Sequence, residues 1–472
     1  VPGQNSRLTA VPEVQALLVC TRLWSTGAPI DEEAAALLRH AALVRNHHRY
    51  TADIPAYAAL AEGMSSASAI TVADIGERFL VTDELFKSYD PAWLAEDLPE
   101  LSRWLGSIFT ERLDDLGLDH AAGDVNGWRA ALKRHGVYVT FSSGTGGRPS
   151  LVPRDPLTLA ALRAGSGVRL PWAPRTGGYD FLQLVPPGLG LGIQSGATGL
   201  AAGAVRVHRL RATPFDLRSL SGGSGPGARP GERDSPAGRS DDPGHATGPV
   251  PPGAPGHEAP GAPDHEAAAD FLRKAARPVL VFGTPSGVAD LVAHLSAAGT
   301  RLSLPPGSQV VTGGGWKGRT AVRWDDLVAG VADRLGVPPG RYVDAYSTSE
   351  LNTVFLSCAA GRYHVPPCVE PIVVDGLLTP VPGDDVEGRL AVLDPFALSY
   401  PGFVVTGDAV RLRRTSCGCG LSGPTLAAPI VRAAGAGQRG CATVGDTPDI
   451  PPENATSISD DTWGSPPGGT AP

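Results

Sequence analysis

The densest set of groups able to hold a phosphate lies in Thr140-Phe-Ser-Ser-Gly-Thr-Gly-Gly-Arg-Pro-Ser150. Glycines let backbone N–H groups come close to phosphate oxygens, and Gly144, Gly146 and Gly147 supply that freedom. Ser142, Ser143 and Thr145 add hydroxyls, and Arg148 adds a fixed positive charge. The stretch follows a strand-like run, Val137 to Phe141, and precedes another apolar run, so it reads as a loop at a strand end. It is not a Walker loop, because Gly-x-x-x-x-Gly-Lys-Ser/Thr is absent. A plain Gly/Ser connection is the alternative in a chain with 60 glycines. Hydroxyls, glycines and a cation gathered in one short stretch favour phosphate binding.

Two further stretches carry chemistry by residue type. Val310-Val-Thr-Gly-Gly-Gly-Trp-Lys317 is a strand running into Gly313, Gly314 and Gly315, a loop against which a flat ring can lie. Cys358 and His364 form a close pair, and Cys417-Gly-Cys419 follows about fifty residues later. Three thiols and an imidazole make a Cys3His tetrahedral set suited to zinc, with no ligand position left open for catalysis. The alternative is small buried hydrophobes with a core histidine. Cys20 and Cys368 have no evident partners, and six cysteines in 472 residues do not resemble a disulfide framework.

These loops need strands and helices to position them. Val11 to Leu132 is mostly helical in pattern, with apolar spacing over Asp31 to Val44 and again at Ala56, Leu60 and Ala61. Trp93, Leu94, Leu98, Leu101, Trp104 and Leu105 form an apolar stripe that reads as core. Strand-like runs follow at Asp180 to Val185, Pro278 to Phe282 and Gln309 to Val311, with helical windows at Pro156 to Ala164 and Gly287 to Ala298. Such alternation predicts an α/β fold whose mainly parallel sheet is flanked by helices. Val369 to Val374, Arg389 to Leu393 and Phe403 to Val405 are predicted to form a second, more antiparallel layer.

The expected organisation is a helical part over 1–132, an α/β core over 133–420, a short C-terminal segment over 421–446 and a disordered tail over 447–472. Within the core, 219–266 is dominated by Gly, Pro, Ser, Asp and His. It lacks the apolar residues that offset ordering entropy and is predicted to be a disordered insertion, with His245, His257 and His265 as solvent-exposed bystanders. A net charge of -8 argues against a nucleic-acid partner. No run of about 18 apolar residues is present, which argues against a membrane span. With no secretory pattern at its first residues, the chain is expected in the cytoplasm.

Two later segments extend the pattern: Tyr346-Ser-Thr-Ser-Glu350 and Val405-Thr-Gly-Asp408. With the phosphate loop and the triple glycine they form an ordered set that resembles the acyl-adenylate-forming superfamily (acyl-CoA synthetases, luciferases, adenylation domains). That family's loop signature is Ser/Thr-Gly-Thr-Thr-Gly-Lys-Pro; this chain has Gly146 for a Thr and Arg148 for the Lys. A branch likeness rests on Leu85-Phe-Lys-Ser88, Gly313-Gly-Gly-Trp-Lys-Gly318, Gly361-Arg-Tyr-His-Val-Pro-Pro367 and Arg439-Gly-Cys-Ala442. It points to the acyl-protein synthetase of bacterial luminescence, phenazine-antibiotic biosynthesis ligases and, more distantly, phenylacetate–CoA ligases.

The resemblance implies a large α/β domain, a small or truncated C-terminal domain, and ATP-dependent activation of a carboxylic acid to acyl-AMP with release of pyrophosphate. It gives Arg148 and Glu350 catalytic roles, Glu350 by holding Mg2+. Nucleotide binding falls to Ser142 through Gly147, Gly313 to Gly315, Tyr346 near the adenine, Ser349 at the phosphate and Asp408 at the ribose hydroxyls. Phenylacetate–CoA ligase-like proteins support zinc at Cys358, His364, Cys417 and Cys419. The expected partners are a small carboxylic acid, aromatic or short-chain, in an antibiotic-type pathway, and an acceptor that is an amine or a thiol such as CoA, a carrier protein or a protein cysteine. Pro186 to Ile193 is expected to border the acyl pocket. No lysine follows Lys317, and Ala436 and Gly437 replace the family's usual hinge residues, leaving Arg439 as a substitute cation. Cys441 reads as a small packed thiol, with acyl transfer the alternative that the resemblance offers. A catalytically weak nucleotide- or acyl-binding scaffold is the alternative function.

Overall fold

The computed structural model describes residues 8, 10–62, 70–113, 116, 124–142, 148–166, 178–185, 197, 200–201, 203–210, 264–315 and 322–433. Helices dominate its N-terminal part: α1 (Pro12–Trp24), α2 (Glu32–Asp53), α3 (Pro55–Ala61), α4 (Val72–Arg78), α5 (Trp93–Glu96), α6 (Leu98–Ser107) and α7 (Val125–Arg134). Their starts are written in local chemistry. The side chains of Asp31, Asp97 and Asp124 each accept a backbone N–H from the first turn of the helix that follows. Thr71 and Asp74 form a reciprocal capping box on α4. The predicted apolar stripe packs as core, with Leu101 and Leu105 fully buried and Trp93 and Trp104 laid against them.

After the two-residue strand β1 (Val81–Thr82) comes a 3-10 turn, Asp83–Lys87. Strands β2 (Tyr138–Phe141) and β3 (Leu151–Arg154) then make an antiparallel hairpin, followed by α8 (Pro156–Ser166). The α/β part consists of β4 (Tyr179–Gln183), β5 (Ala204–Arg209), α9 (His265–Arg273), β6 (Val279–Gly283), α10 (Pro285–Ala297), β7 (Gln309–Gly313), α11 (Trp324–Leu335) and β8 (Tyr342–Tyr346). Every residue of β6 and β7 is buried, the pattern of strands covered on both faces. Leu291, Leu295, Val331 and Leu335 bring α10 and α11 onto one of those faces.

The remaining strands are β9 (Phe355–Ser357), β10 (Arg362–His364), β11 (Glu370–Val374), β12 (Asp385–Leu393), β13 (Phe403–Arg413), β14 (Thr425–Ala427) and β15 (Val431–Arg432). Their order with the others is β11-β12-β13-β14-β10-β9-β8-β7-β6-β4-β5, with β1 and β15 also paired to β13. The fold is thus α/β with a large mixed sheet flanked by helices, parallel from β5 through β8 and antiparallel beyond. The antiparallel strands do not form the separate layer expected from sequence. They continue the same hydrogen-bonded path, because β9 pairs antiparallel with β8.

Two expected boundaries also move. Asp264 accepts the N–H of Ala267 and caps α9, so His265 and Glu266 belong to a helix, not to the Gly/Pro-rich stretch. Residues 421–433 supply β14 and β15 to the main sheet and are not set apart from it. The rest of the predicted insertion, 219–263, and the tail lie outside the described residues. Among the described residues, no helix is long and apolar enough to cross a membrane.

Candidate functional site

The phosphate-loop candidate closes the β2–β3 hairpin. Ser142 pairs with Ser150 twice: its N–H donates to the Ser150 carbonyl (3.2 Å), and its Oγ accepts the Ser150 N–H (2.9 Å). Ser143, Gly144, Thr145, Gly146 and Gly147 lie outside the described residues. Arg148 donates from Nη1 to the Lys87 carbonyl (2.9 Å) and lies over the Tyr89 ring, whose hydroxyl donates to the Pro149 carbonyl (2.8 Å). The base of the loop is therefore fixed against the 3-10 turn of the helical part. That turn also buries Lys87, whose ammonium donates to Asp83. Beside it, β1 runs parallel to Val404 and Val405, just before the Thr406-Gly407-Asp408 segment.

Two segments sixty residues apart in sequence meet at a carboxylate. Tyr346, the last residue of β8, donates its hydroxyl to Asp408 Oδ2 (2.8 Å). Arg432 on β15 donates from Nη1 to Asp408 Oδ1 (2.9 Å), and the two residues face each other across the β13–β15 ladder. Asp408 is fully buried. Burial pushes its carboxyl above the usual carboxylate range, with Arg432 and the Tyr346 hydroxyl pulling the other way. Burial raises the Tyr346 phenol as well, so it stays a proton donor. The Tyr346 ring packs against Phe355 and Tyr363, and its hydroxyl, not an open ring face, reaches Asp408.

The glycine loop begins where β7 ends. Thr312, immediately before it, donates to Asp344 Oδ1 (2.6 Å), and Tyr363 donates to Asp344 Oδ2 (2.7 Å). Gly314 and Gly315 both have positive φ, a conformation that favours glycine. Trp316 and Lys317 lie outside the described residues.

Glu350 sits in the turn after β8, almost wholly buried. Its carboxylate has no hydrogen bond or ion pair among the described residues, while its backbone is held tightly: the Tyr400 hydroxyl donates to the Glu350 carbonyl (2.7 Å). Ser349 is buried beside it. A carboxylate without a protein partner among the described residues offers the oxygen donors that Mg2+ takes.

The four metal-type donors converge. Ligand atoms of Cys358, His364, Cys417 and Cys419 all lie within 4.8 Å of one another. Cys358 Sγ is 3.8 Å from Cys417 Sγ, far beyond a disulfide bond, and Cys419 Sγ is 3.1 Å from His364 Nε2. Tetrahedral zinc with Zn–S arms of about 2.3 Å places two sulfurs about 3.8 Å apart. Two tight turns bring the set together. One joins β9 to β10 through Gly361 at φ 68°, and the other follows β13 through Gly420 at φ 91°. Burial lowers His364 to about 4, leaving its imidazole neutral, the form that ligates metals. The same burial raises Cys358 and pushes Cys419 up to about 12.

Sequence reasoning missed five residues that build the site: Arg154, Asn352, Asp394, Tyr400 and Arg432. Only Asn352, two residues past Glu350, lay near a motif. The others are ordinary residue types at ordinary spacing, and no local signal marks them. Arg439, Cys441, Ala436, Gly437 and Pro186 to Ile193 fall outside the described residues.

With this geometry in hand, comparison with known proteins is informative. Residues 268–447 match the family model for the acyl-protein synthetase, LuxE. That span holds β6 through β15, with Glu350, Asp408 and all four metal-type donors. A long-chain-fatty-acid–luciferin-component ligase of Aliivibrio fischeri is 27% identical over 141 residues, which are 29% of this chain and 37% of that protein. The chain thus matches little more than a third of that relative's length. Among solved structures, 2-hydroxyisobutyryl-CoA ligase with 2-HIB-AMP and CoA is 15% identical, over 86% of this chain and 73% of that one, with a TM-score of 0.49. A long-chain-fatty-acid-CoA ligase of Archaeoglobus fulgidus is 11% identical over 62% and 51%, with a TM-score of 0.37. The chain resembles the acyl-adenylate-forming superfamily, its acyl-protein synthetase branch in particular.

Proposed function

We propose that this protein activates a carboxylic acid with ATP, forming an acyl-AMP and releasing pyrophosphate, and then passes the acyl group to a thiol. The observation that carries this reading is the convergence of separate sequence segments. Tyr346 and Asp408 bond directly, and Glu350 follows Tyr346 in the turn that the phosphate-loop hairpin approaches. The family match over 268–447 supports the same reaction class.

In this reading a substrate carboxylate attacks the α-phosphorus of ATP in line and pyrophosphate leaves. Positioning and charge neutralisation do most of the work. Ser142 to Arg148 bind the departing phosphates, and Asp408 binds the ribose, exchanging a present partner for a sugar hydroxyl. Glu350 would hold Mg2+, which neutralises phosphate charge when bound. Cys358, His364, Cys417 and Cys419 would hold Zn2+, which with four protein ligands supplies structure and no open coordination position. The substrate acid is aromatic or acyl, the acceptor is CoA, a carrier protein or a protein cysteine, and the setting is antibiotic-type biosynthesis in the cytoplasm.

One observation favours the alternative, a nucleotide- or acyl-binding scaffold: both oxygens of Asp408 are already taken, by Tyr346 and Arg432. ATP–pyrophosphate exchange across a panel of aryl and fatty acids decides between them. Adenylation gives acid-dependent exchange that Glu350→Ala lowers by about 10²- to 10³-fold, the scale of losing one preorganised electrostatic group. ATP binding with no exchange for any acid selects the scaffold.

A further inference from the structure

Beneath the Glu350 turn lies a polar cluster to which the chemistry above assigns no role. Arg154 ends β3 and is 0% exposed, yet no carboxylate pairs with it among the described residues. Its guanidinium is satisfied by neutral acceptors. Nε donates to Asn352 Oδ1 (2.9 Å) and Nη1 to Thr140 Oγ1. Nη2 donates to the Ser349 carbonyl (2.7 Å) and the Tyr400 hydroxyl (3.1 Å), with the Leu351 carbonyl at 3.4 Å. The Tyr400 ring also lies 5.0 Å from the guanidinium carbon.

The cluster is closed and internally consistent. Tyr400 gives its single proton to the Glu350 carbonyl and accepts from both Arg154 and Asn352 Nδ2 (2.8 Å), which uses its whole capacity. Asn352 accepts from Arg154 with its amide oxygen, donates to Tyr400 with its amide nitrogen, and donates its backbone N–H to Asp394 Oδ2 (2.6 Å). The carbonyls of Ser349, Glu350 and Leu351 are therefore all pinned, while the Glu350 carboxylate is left without a partner among the described residues. At the other end, Thr140 belongs to β2, two residues before Ser142. One buried cation thus ties the strands of the phosphate-loop hairpin to the backbone on both sides of Glu350.

We propose that Arg154 is a positioning residue that couples the phosphate-loop hairpin to the Glu350 turn, fixing where the Glu350 carboxylate meets the divalent cation of bound ATP. This rests on the adenylation reading above. A planar fork with five donors holds acceptors on two segments in fixed directions, whereas an ammonium offers three rotatable donors from a single point. Loss of the fork frees the turn, and a displacement of about 1 Å at a reacting geometry costs on the order of 10²-fold in rate.

The test measures ATP–pyrophosphate exchange against Mg2+ concentration for the full chain, for Arg154→Met and Arg154→Lys, and for Tyr400→Phe, which removes the hydroxyl that the Glu350 carbonyl, Arg154 and Asn352 share. Far-UV circular dichroism and thermal melts accompany each variant. The expected result is a rise in half-saturating Mg2+ of about tenfold, the scale of losing a group that orients a metal ligand. Maximal rate falls on the order of 10²-fold in Arg154→Met. Arg154→Lys restores little, and Tyr400→Phe shows the Mg2+ shift in smaller form. Should Arg154→Met fail to fold, Tyr400→Phe carries the decision. Folded variants that melt earlier but keep the wild-type Mg2+ curve would overturn the coupling and leave the adenylation reading standing. Absence of exchange in the wild-type chain would overturn both.

Discussion

Two clusters fasten this molecule's turns, and they do so by opposite means. The Cys358, His364, Cys417 and Cys419 set joins two glycine turns with four ligand-type atoms that find chiefly one another. The Arg154 cluster joins the β2–β3 hairpin, the Glu350 turn and the loop before β13 with a cation that the chain itself provides. The first sits partly at the surface, with Cys419 exposed, and on the proposed reading an added ion would hold it together. The second is wholly buried, so its groups must satisfy each other or be expelled. A turn near solvent can be stapled by a metal; a turn under an active site needs donors and acceptors already oriented.

The comparison can be broken at the metal side first, where the largest effect is expected. Cys417→Ser, or chelation of the wild-type chain, should remove one bound zinc per chain and lower Tm by about 5 °C or more, read by metal analysis and calorimetry. A chain that purifies without metal and melts unchanged on chelation would make the four donors ordinary packing groups.

A smaller effect is expected where α8 presses on the Glu350 turn. A Cβ at Gly165 would stand 2.6 Å from the Asn352 carbonyl oxygen and 3.2 Å from the Phe396 ring. Gly165→Ala should therefore cost about 1–3 kcal/mol by overpacking. Because it shifts the residue that Arg154 holds, it should also raise the Mg2+ requirement for exchange. A stability loss with an unmoved Mg2+ curve would show that the turn tolerates displacement.

The smallest expected effect is electrostatic. Burial raises the Asp394 carboxyl to about 6, although two backbone N–H groups and Arg154 oppose the shift. The native state thus holds a proton between about pH 4 and 6 that the unfolded chain has released. Its contribution to stability is present below the unfolded pKa and lost as pH rises through about 6. Chemical denaturation of wild type and Asp394→Asn across that range should show a flatter profile in the variant. Identical slopes would mean that Asp394 stays ionised in the fold.

The difference between the clusters also explains which parts of the site could be read in advance. Cysteine and histidine at close spacing mark candidate donors by type, and glycines beside hydroxyls mark a candidate phosphate loop. The alternation of helix and strand across 137–346 follows from hydrophobic period, and β6 and β7 fell where continuous apolar runs stood. In contrast, Asp385–Leu393 and Phe403–Arg413 ran longer than their apolar segments, because antiparallel partners extended them through polar residues.

By itself the sequence determined the helical start, the α/β alternation, the ordered motif set and the identity of four metal-type donors. Those depend on residue type and local spacing, which the chain carries in one dimension. Only the tertiary structure decided that the antiparallel strands continue the parallel sheet and that Tyr346 and Arg432 share Asp408. It alone tied Arg154, on the hairpin of the candidate phosphate loop, to the backbone beside Glu350. Such pairings can join residues about two hundred positions apart or more, Arg154 with Asn352 and Tyr400 among them. They exist because burial leaves each polar group no water to turn to and so forces it onto whichever partner the fold brings near.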